Sequence, residues 1–522
     1  MLSIRYSLLL RSIYIFLSDI PCFSSLQTIL GTAIPKITDQ FNRLDDIAWY
    51  GAAYFTCFGG FQPLWGKSYK YFPLKPVFVD AVAIFEAGSL LCGAAPNSPA
   101  LIAGRAIAGV GGAGVACGAS TIVGLCTPKE KRPIFLGIIG VTYAFAAVVG
   151  PLLGGAFSDR VSWRWCFYVN VPIGGVVALV ILGILRLPAL VKPIEAPLVS
   201  KLGQLDFVGV GLTMAAMVCF ILALQYGGVT HPWSSSVVIG LLVGFAAIVV
   251  TLVLWEMHRG ERAMLVPRLL SNRTLWAGAG FQFFFAGSYF LLLFFLPLYF
   301  QSVKAASPVR SGVLTLPFVV TAGLFIVGGG ITVAKTGHAI PFTTAGAAIA
   351  TVGFGLLYTL ETGTPAAKWI GYQILLGAGI AFPFQNCLST VQATVATADI
   401  ASATSIMLCM YSSYLPESQL TCSASLSDPR WSFQYGHRDC GVLQQAHRRS
   451  AHISTHHRPQ TSHSHRCNRT ESGLSTGGDC RNSDGLHGGH QVCVCGGDWH
   501  GRHSTRVQLD QPVEKDPHQS KG

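Results

Sequence analysis

Between residues 47 and 391 the chain falls eleven times into an apolar run close to the ~20 residues that cross a bilayer as a helix, each followed by a short polar break. The runs cover 47–65, 77–95, 100–126, 133–157, 165–186, 207–227, 236–256, 275–300, 312–333, 341–360 and 369–391. Residues 6–17 and 20–35 are also apolar, split by Ser18-Asp19, and read as one imperfect first span, which makes twelve. No small-residue cleavage site followed by a soluble domain marks this start as a signal peptide. Hydrocarbon offers no partner for a backbone N–H or C=O, so such runs are helices. The expected fold class is therefore all-α, a polytopic membrane protein. The charged fraction agrees, at 11% where soluble proteins carry about 25%.

Orientation follows from the basic residues. One set of alternate loops holds fourteen Lys and Arg, including Lys67, Lys70, Lys75, Lys129, Lys131, Arg132 and Arg268; the other set holds seven. Positive loops stay inside, so the first set and the N-terminus are expected in the cytoplasm. A missed helix would scramble this alternation. The net charge of +12 forms no continuous basic face, which excludes nucleic acid as a partner and leaves the lipid bilayer. Nine of the fifteen cysteines sit in or beside apolar segments, where a thiol acts as a small hydrophobe rather than a disulfide half.

After Met410 the character changes. Residues 411–522 hold twelve of the fifteen histidines and six cysteines, with no run long enough to span. Cys493-Val494-Cys495 and the histidines around His456 match no metal-site spacing, so no metal is expected. The stretch reads as a polar tail, disordered or translated from another frame. Residues 400–410 look like the entrance to another helix cut off in mid-pattern.

Several side chains stand out against the apolar background. Arg105 lies inside a span, where a cation is costly and hence functional, or else reaches for the interface. Glu86 lies in mid-span, where low dielectric disfavours the charged form and an acid can carry a proton; the alternative is a hydrogen-bonded structural acid. Asp80 is close enough to water to be solvated. Gln225, Gln282, Gln373, Gln385 and Asn386 fall within or at the ends of spans and are candidates for lining a cavity, with Phe281–Phe285 and Phe294-Phe295 as a stacking wall or as lipid-facing filler. The glycines from Gly109 to Gly114 read as helix-packing positions. Gly150-Pro151-Leu152-Leu153-Gly154-Gly155 reads as a close-packed, kinked helix segment and candidate hinge.

Taken in order, these motifs resemble the major facilitator superfamily, in its fungal fourteen-span drug:proton antiporter branch. Gly150-Pro151-x-x-Gly154-Gly155 is similar to that branch's fifth-helix signature, Trp163 to Gly174 to its fifth-to-sixth helix junction, and Arg105-x-x-x-Gly109-x-Gly111-Gly112-Ala113-Gly114 to its fourth-helix motif. Leu224 to Gly228, Pro297-x-Tyr299-Phe300-Gln301 and Ser307-Pro308-x-Arg310-Ser311-Gly312 also resemble family segments, and the likeness covers about residues 28–410. It implies the major facilitator fold, with about twelve of fourteen spans recognisable. It divides the chain into an atypical start (1–27), an N-terminal six-helix bundle (28–186), a loop with two linker helices (187–256), a partial C-terminal bundle (257–410) and the tail (411–522). Lys67, Lys70 and Lys75 fall where the family has a gating loop; the family's loop aspartate is absent, with Gly66 in its place. Leu26 stands where the branch carries an aspartate before Thr28-Ile29.

The implied function is proton-coupled efflux of small amphipathic compounds (drugs, fungal toxins or secondary metabolites) by alternating access, with Arg105 and Glu86 in proton coupling. Siderophore or metabolite uptake by the same fold, and a truncated non-transporting protein, are the alternatives. No phosphate-binding Gly-x4-Gly-Lys-Ser/Thr loop and no Ser/His/Asp set appear within the spans, so a proton gradient rather than ATP or any cofactor is expected, and no enzyme. A monomer in the plasma membrane, rather than the vacuolar one, completes the expectation.

Overall fold

Among the described residues, the polar breaks become turns or short helices between long helices. The computed structural model describes residues 29–412, apart from 31–32, 35, 44–45, 185–196, 229–230, 305, 307 and 362. The expected first span lies mostly outside these residues, and the tail from 413 entirely. The N-terminal half comprises α1 (Ile47–Tyr71), α2 (Leu74–Ala94), α3 (Ser98–Cys126), α4 (Arg132–Arg160), α5 (Trp165–Tyr168) and α6 (Asn170–Ile184). A connecting section follows, with α7 (Leu198–Leu202), α8 (Phe207–Tyr226) and α9 (Ser236–Arg259). The C-terminal half comprises α10 (Pro267–Leu270), α11 (Arg273–Ser302), α12 (Pro308–Leu314), α13 (Leu316–Thr336), α14 (Ile340–Tyr358), α15 (Ala366–Thr394) and α16 (Ile400–Ser412). Among the described residues there is no strand, only one isolated bridge between Gly227 and His231.

Among the described residues nine helices are long and apolar enough to cross a membrane, and each falls on an expected span. The expected spans 47–65 and 133–157 are the helices α1 and α4. The interrupted pattern after residue 399 forms α16, which is helical to Ser412, two residues past the expected change of character.

Helix starts carry the sequence signals that satisfy free backbone donors. Asn97 accepts from the Ala100 N–H at 3.0 Å, with Pro99 in the first turn of α3; Asp206 caps α8 through the Gly209 N–H at 3.0 Å, and Ser235 caps α9. Gly337, at φ +73°, closes α13 in the left-handed conformation that favours glycine.

Lipid is as apolar as leucine, so helices associate through close packing and hydrogen bonds rather than water exclusion. The α1–α3 pair shows how. A Cβ at Gly109, Gly114 or Gly118 would overlap the Tyr54 carbonyl, the Trp65 ring or the Tyr69 hydroxyl, so the bare glycine face is what admits these side chains. Once seated, Trp65 Nε1 donates to the Val110 carbonyl and Tyr69 Oη to the Gly114 carbonyl, both at 2.8 Å. The junction motif has a similar role: Arg164 stacks over Trp163 and donates to the carbonyls of Gly93 and Ala95, tying down the end of α2. By contrast α9 turns Val243, Val250 and Leu254 outward and buries little beyond Val238 and Glu256, as a lipid-facing peripheral helix should.

The halves meet along two helix pairs, α1 with α16 and α4 with α13. A Cβ on Gly66 would overlap Ser405 Oγ of α16, and one on Gly330 would press on the Pro133 carbonyl of α4. Gly137 and Gly140 lie against Ile326 of α13. One apolar cluster runs across this seam, joining Phe78, Val115 and Ile122 to Leu275, Val391, Ile400 and Ile406.

The segment expected to hinge is helical throughout, with Gly150 and Gly154 buried. Through Gly150-Pro151-Leu152-Leu153-Gly154-Gly155 the helix α4 runs on unbroken, and a Cβ at Gly155 would meet nothing within 4 Å. Close contacts of α4 glycines occur near its start, where Gly137 and Gly140 meet α13, and at Gly154, whose carbonyl faces Cys166 Sγ at 4.0 Å.

Candidate functional site

Where the halves meet, side chains from both line an open-mouthed cavity. The N-terminal half contributes Phe58 of α1, Ala119 and Ser120 of α3, and Ile139 of α4. The C-terminal half contributes Gln282 of α11, Phe384 and Gln385 of α15, and Met407 and Tyr411 of α16. Ser120, Ile139, Gln282 and Gln385 lie on the side of their helix centres that the Lys/Arg bias assigns to the cytoplasm, Phe58 lies at the centre of α1, and Tyr411 lies at the far end of α16. Among the described lining residues none is charged.

Two of the five expected cavity amides, Gln282 and Gln385, line this space. The other three do not. Gln373 is fully buried and bridges the α12–α13 break, accepting from the Phe318 N–H and donating to the Leu314 carbonyl, a backbone-satisfying role. Asn386 is buried beside Gly329, one residue round the helix from the cavity face. Gln225 sits at the far end of α8 in the connecting section. The aromatic wall also differs from expectation. Phe281 and Phe285 stack on each other at 5.3 Å and Phe284 faces outward, whereas Phe58, Phe384 and Tyr411 face the cavity. Helical periodicity explains this, because four phenylalanines within five consecutive residues must point all round their helix.

Below the cavity the cytoplasmic ends are tied shut. Lys70 Nζ meets Asp399 Oδ1 at 2.8 Å, and Arg268 Nη2 meets Asp399 Oδ2 at 3.0 Å. Arg268 also pairs with Glu261 at 2.9 Å, and Lys67 donates to the Glu261 carbonyl at 3.0 Å. Arg132 Nη1 donates to the Gln392 carbonyl at 2.6 Å, Lys129 to the Ala393 carbonyl at 3.0 Å, and Gln392 Nε2 to the Ser120 carbonyl at 3.0 Å. Every one of these bonds except Arg268–Glu261 and Arg268–Asp399 joins the N-terminal half to residues beyond the connecting section. Burial pushes the Asp399 carboxyl upward, but the bonds from Lys70 and Arg268 outweigh it and hold the group below the usual carboxylate range.

This closure corrects the reading of the basic segment. Gly66 to Tyr71 is helical, and only Phe72 and Pro73 separate α1 from α2. Lys67 and Lys70 therefore stand on the last turns of α1. Lys75 turns away, donating to the Leu182 carbonyl at 2.6 Å. No acid is needed in this segment, because Asp399 supplies it from 329 residues away. Sequence reasoning missed Asp399; its only local signal is an acid immediately before an apolar, small-residue run, the pattern of a helix start.

The two intramembrane candidates are placed apart. Arg105, 1% exposed, donates through Nε to the Tyr50 carbonyl at 2.9 Å and lies over the Tyr54 ring at 4.3 Å, so it faces α1. Its Nη1 has no hydrogen-bond partner, and among the described residues no acid pairs with it. Tyr50 Oη donates to Ser98 Oγ, which donates to Asp46, a chain leading to the outer loops. Glu86 lies instead between α2 and α6, against Gly174, with Oε2 unpartnered. Among the described residues no group of His, Cys, Asp and Glu is placed to hold a metal ion.

Fold and cavity together define a multi-pass helical membrane protein whose two halves enclose a central space. Residues 22–414 match the Major Facilitator Superfamily, and the chain belongs to that family. It is 56% identical over 378 residues to the MFS-type transporter grgE of a Penicillium species, covering 72% of this chain and 67% of that one. To the probable efflux pump gsfJ of Penicillium aethiopicum it is 49% identical over 381 residues, covering 73% and 68%. It thus stands in the fungal efflux-pump branch and spans about two thirds of the length of these relatives. Among solved structures, the human organic anion transporter MFSD10 (TETRAN) shares the fold at a TM-score of 0.57 and 14% identity, over 80% of this chain and 94% of that one.

Proposed function

We propose that this chain exports small amphipathic compounds in exchange for protons, by alternating access to the cavity between its halves. The observation that carries the reading is the placement of that cavity directly above a closed cytoplasmic seam. A space at the junction of two bundles, shut on one side by ion pairs, hydrogen bonds and an apolar cluster shared between the halves, fits a carrier that opens to each side in turn. In the export cycle, breaking the Asp399 pairs admits a compound from the cytoplasm or inner leaflet. Re-forming them, with Gly66 seated on Ser405, commits it outward.

Protons enter the scheme through Glu86 and Arg105. A carboxyl with an unpartnered oxygen inside a span exchanges one proton for a change of charge, and a buried guanidinium on the α1–α3 seam senses how those helices sit. Names of relatives favour export over uptake, and the plasma membrane is the site where export clears the cell.

The test uses cells expressing the full chain and loaded with Nile red, an uncharged amphipathic dye. Cells carrying the wild-type chain retain less dye than cells carrying Arg105→Ala at equal membrane abundance, and a protonophore abolishes the difference. Equal retention with and without the protonophore removes proton-coupled export.

A further inference from the structure

The cavity has a chemistry of its own, which narrows the class of compound it accepts. Gln282 stands on its wall with only 6% of its surface exposed, yet its carboxamide oxygen has no hydrogen-bond partner. Every other described polar side chain on the wall is a hydroxyl or the second amide: Ser120, Tyr411 and Gln385. A buried, unpartnered amide is costly unless whatever occupies the space satisfies it. An amide's oxygen and nitrogen exchange places by a half-turn, so the most adaptable complement is a group that both donates and accepts. A hydroxyl is such a group. Carboxylates and sulfonates only accept, and ammonium groups only donate.

The rest of the wall sets the body of the ligand. Phe58 comes from α1, while Phe384 and Tyr411 come from α15 and α16 and meet edge to face at 5.4 Å. Aromatic side chains thus border the space from both halves, together with Met407 and Leu388, and favour a flat ring system. Among the described residues no Lys, Arg, Asp or Glu reaches the wall, so an ionised ligand would lie unpaired in low dielectric.

We infer that the cavity selects uncharged aromatic hydroxy compounds, with Gln282 as the residue that reads the hydroxyl. This rests on the export reading and deepens it. Because Gln282 and Gln385 stand on the C-terminal half and Phe58 on the other, such a ligand touches both halves at once, and its hydroxyl is held by the C-terminal half.

Three probes that share one naphthalene ring separate the terms: 2-naphthol, 2-methoxynaphthalene and 2-naphthalenesulfonate. Binding of each to the purified full chain in nanodiscs is measured by scintillation proximity, with empty nanodiscs subtracted. The inference expects 2-naphthol to bind about tenfold more tightly than its methyl ether, with the sulfonate weakest. In Gln282→Met, which keeps the length of the side chain, the naphthol-to-ether ratio falls to about one while ether binding is retained. Equal binding of naphthol and ether to the wild-type chain, an unchanged ratio in Gln282→Met, or tightest binding of the sulfonate each overturns the inference. In the first two cases the export reading stands, because uncharged aromatics still enter. Binding of none of the three overturns the inference, while Nile red retention decides export separately. The wild-type ratio alone decides the outcome should Gln282→Met not reach the membrane.

Discussion

Replacing Asp399 with asparagine removes the charge on which the cytoplasmic seam converges. The carboxylate is 5% exposed and takes Lys70 at 2.8 Å and Arg268 at 3.0 Å. A hydrogen bond between ionised partners contributes about 1.5–3 kcal/mol, and Lys70, with 13% side-chain exposure, is little screened. Arg268 is 55% exposed, so its share is at most about 1 kcal/mol. Asparagine keeps one acceptor and part of the geometry, which leaves a loss of about 2–3 kcal/mol in the closed state. At 1.4 kcal/mol per decade this moves the closed-to-open ratio roughly 30- to 140-fold. The readout is a Ser120→Cys thiol, one residue position on the cavity wall just above the seam, labelled by a membrane-impermeant maleimide in inside-out vesicles and quantified at that site by mass spectrometry. Labelling in the Asp399→Asn background is expected to be faster by that factor. A Lys70→Met, Asp399→Asn double-mutant cycle then assigns the Lys70 share. An unchanged labelling rate would mean that the ion pairs do not hold the seam and that the reasoning fails.

Gly66→Leu places a branched side chain where a single Cβ already overlaps Ser405 Oγ, so cytoplasmic closure is expected to cost about 1–3 kcal/mol more; the same thiol assay should show faster labelling, and normal labelling with normal export would contradict the close contact. Arg105→Ala is expected to abolish proton-dependent dye export while leaving membrane abundance unchanged, and Arg105→Lys should fail as well, because an ammonium cannot both bond the Tyr50 carbonyl and lie flat on the Tyr54 ring. The Asp399 pairs should ignore physiological pH, unlike Lys67, whose ammonium is pushed down by burial to about 8. Asp399 is held below the ordinary carboxylate value when closed, so its contribution is complete above that value and is lost only as pH falls through the lower, closed-state one. Ser120→Cys labelling from the cytoplasmic side, normalised to a free thiol, is therefore flat from pH 7 to pH 5, below the range in which Lys67 loses its proton, and a rise between pH 7 and pH 6 would assign closure to some other group.

The fold was readable because lipid allows one solution: an apolar run of sufficient length must be a helix, and eleven runs are helices where expected. Legibility declined with the side chains. An amide in an apolar run is a sound sign of a polar task, but it does not say which task. Gln282 and Gln385 line the cavity, whereas Gln373 repairs the break between α12 and α13 with the same chemical group. Asp399 escaped notice for the opposite reason. It lies outside any span, where an acid is unremarkable, and its partner is separated from it by most of the described chain. The glycines of α3 were legible as packing positions. Those of α4 differ among themselves in a way nothing local announces: Gly137 lies against α13, whereas a Cβ at Gly155 would meet nothing within 4 Å.

The most direct measurement of the central claim is proton flux through the full chain reconstituted in proteoliposomes with a pH-sensitive dye inside. Adding 2-naphthol to one side is expected to drive a proton flux of opposite direction that saturates with its concentration and is absent in Arg105→Ala. A naphthol flux unaccompanied by protons, or a proton flux in the same direction, would contradict proton-coupled export.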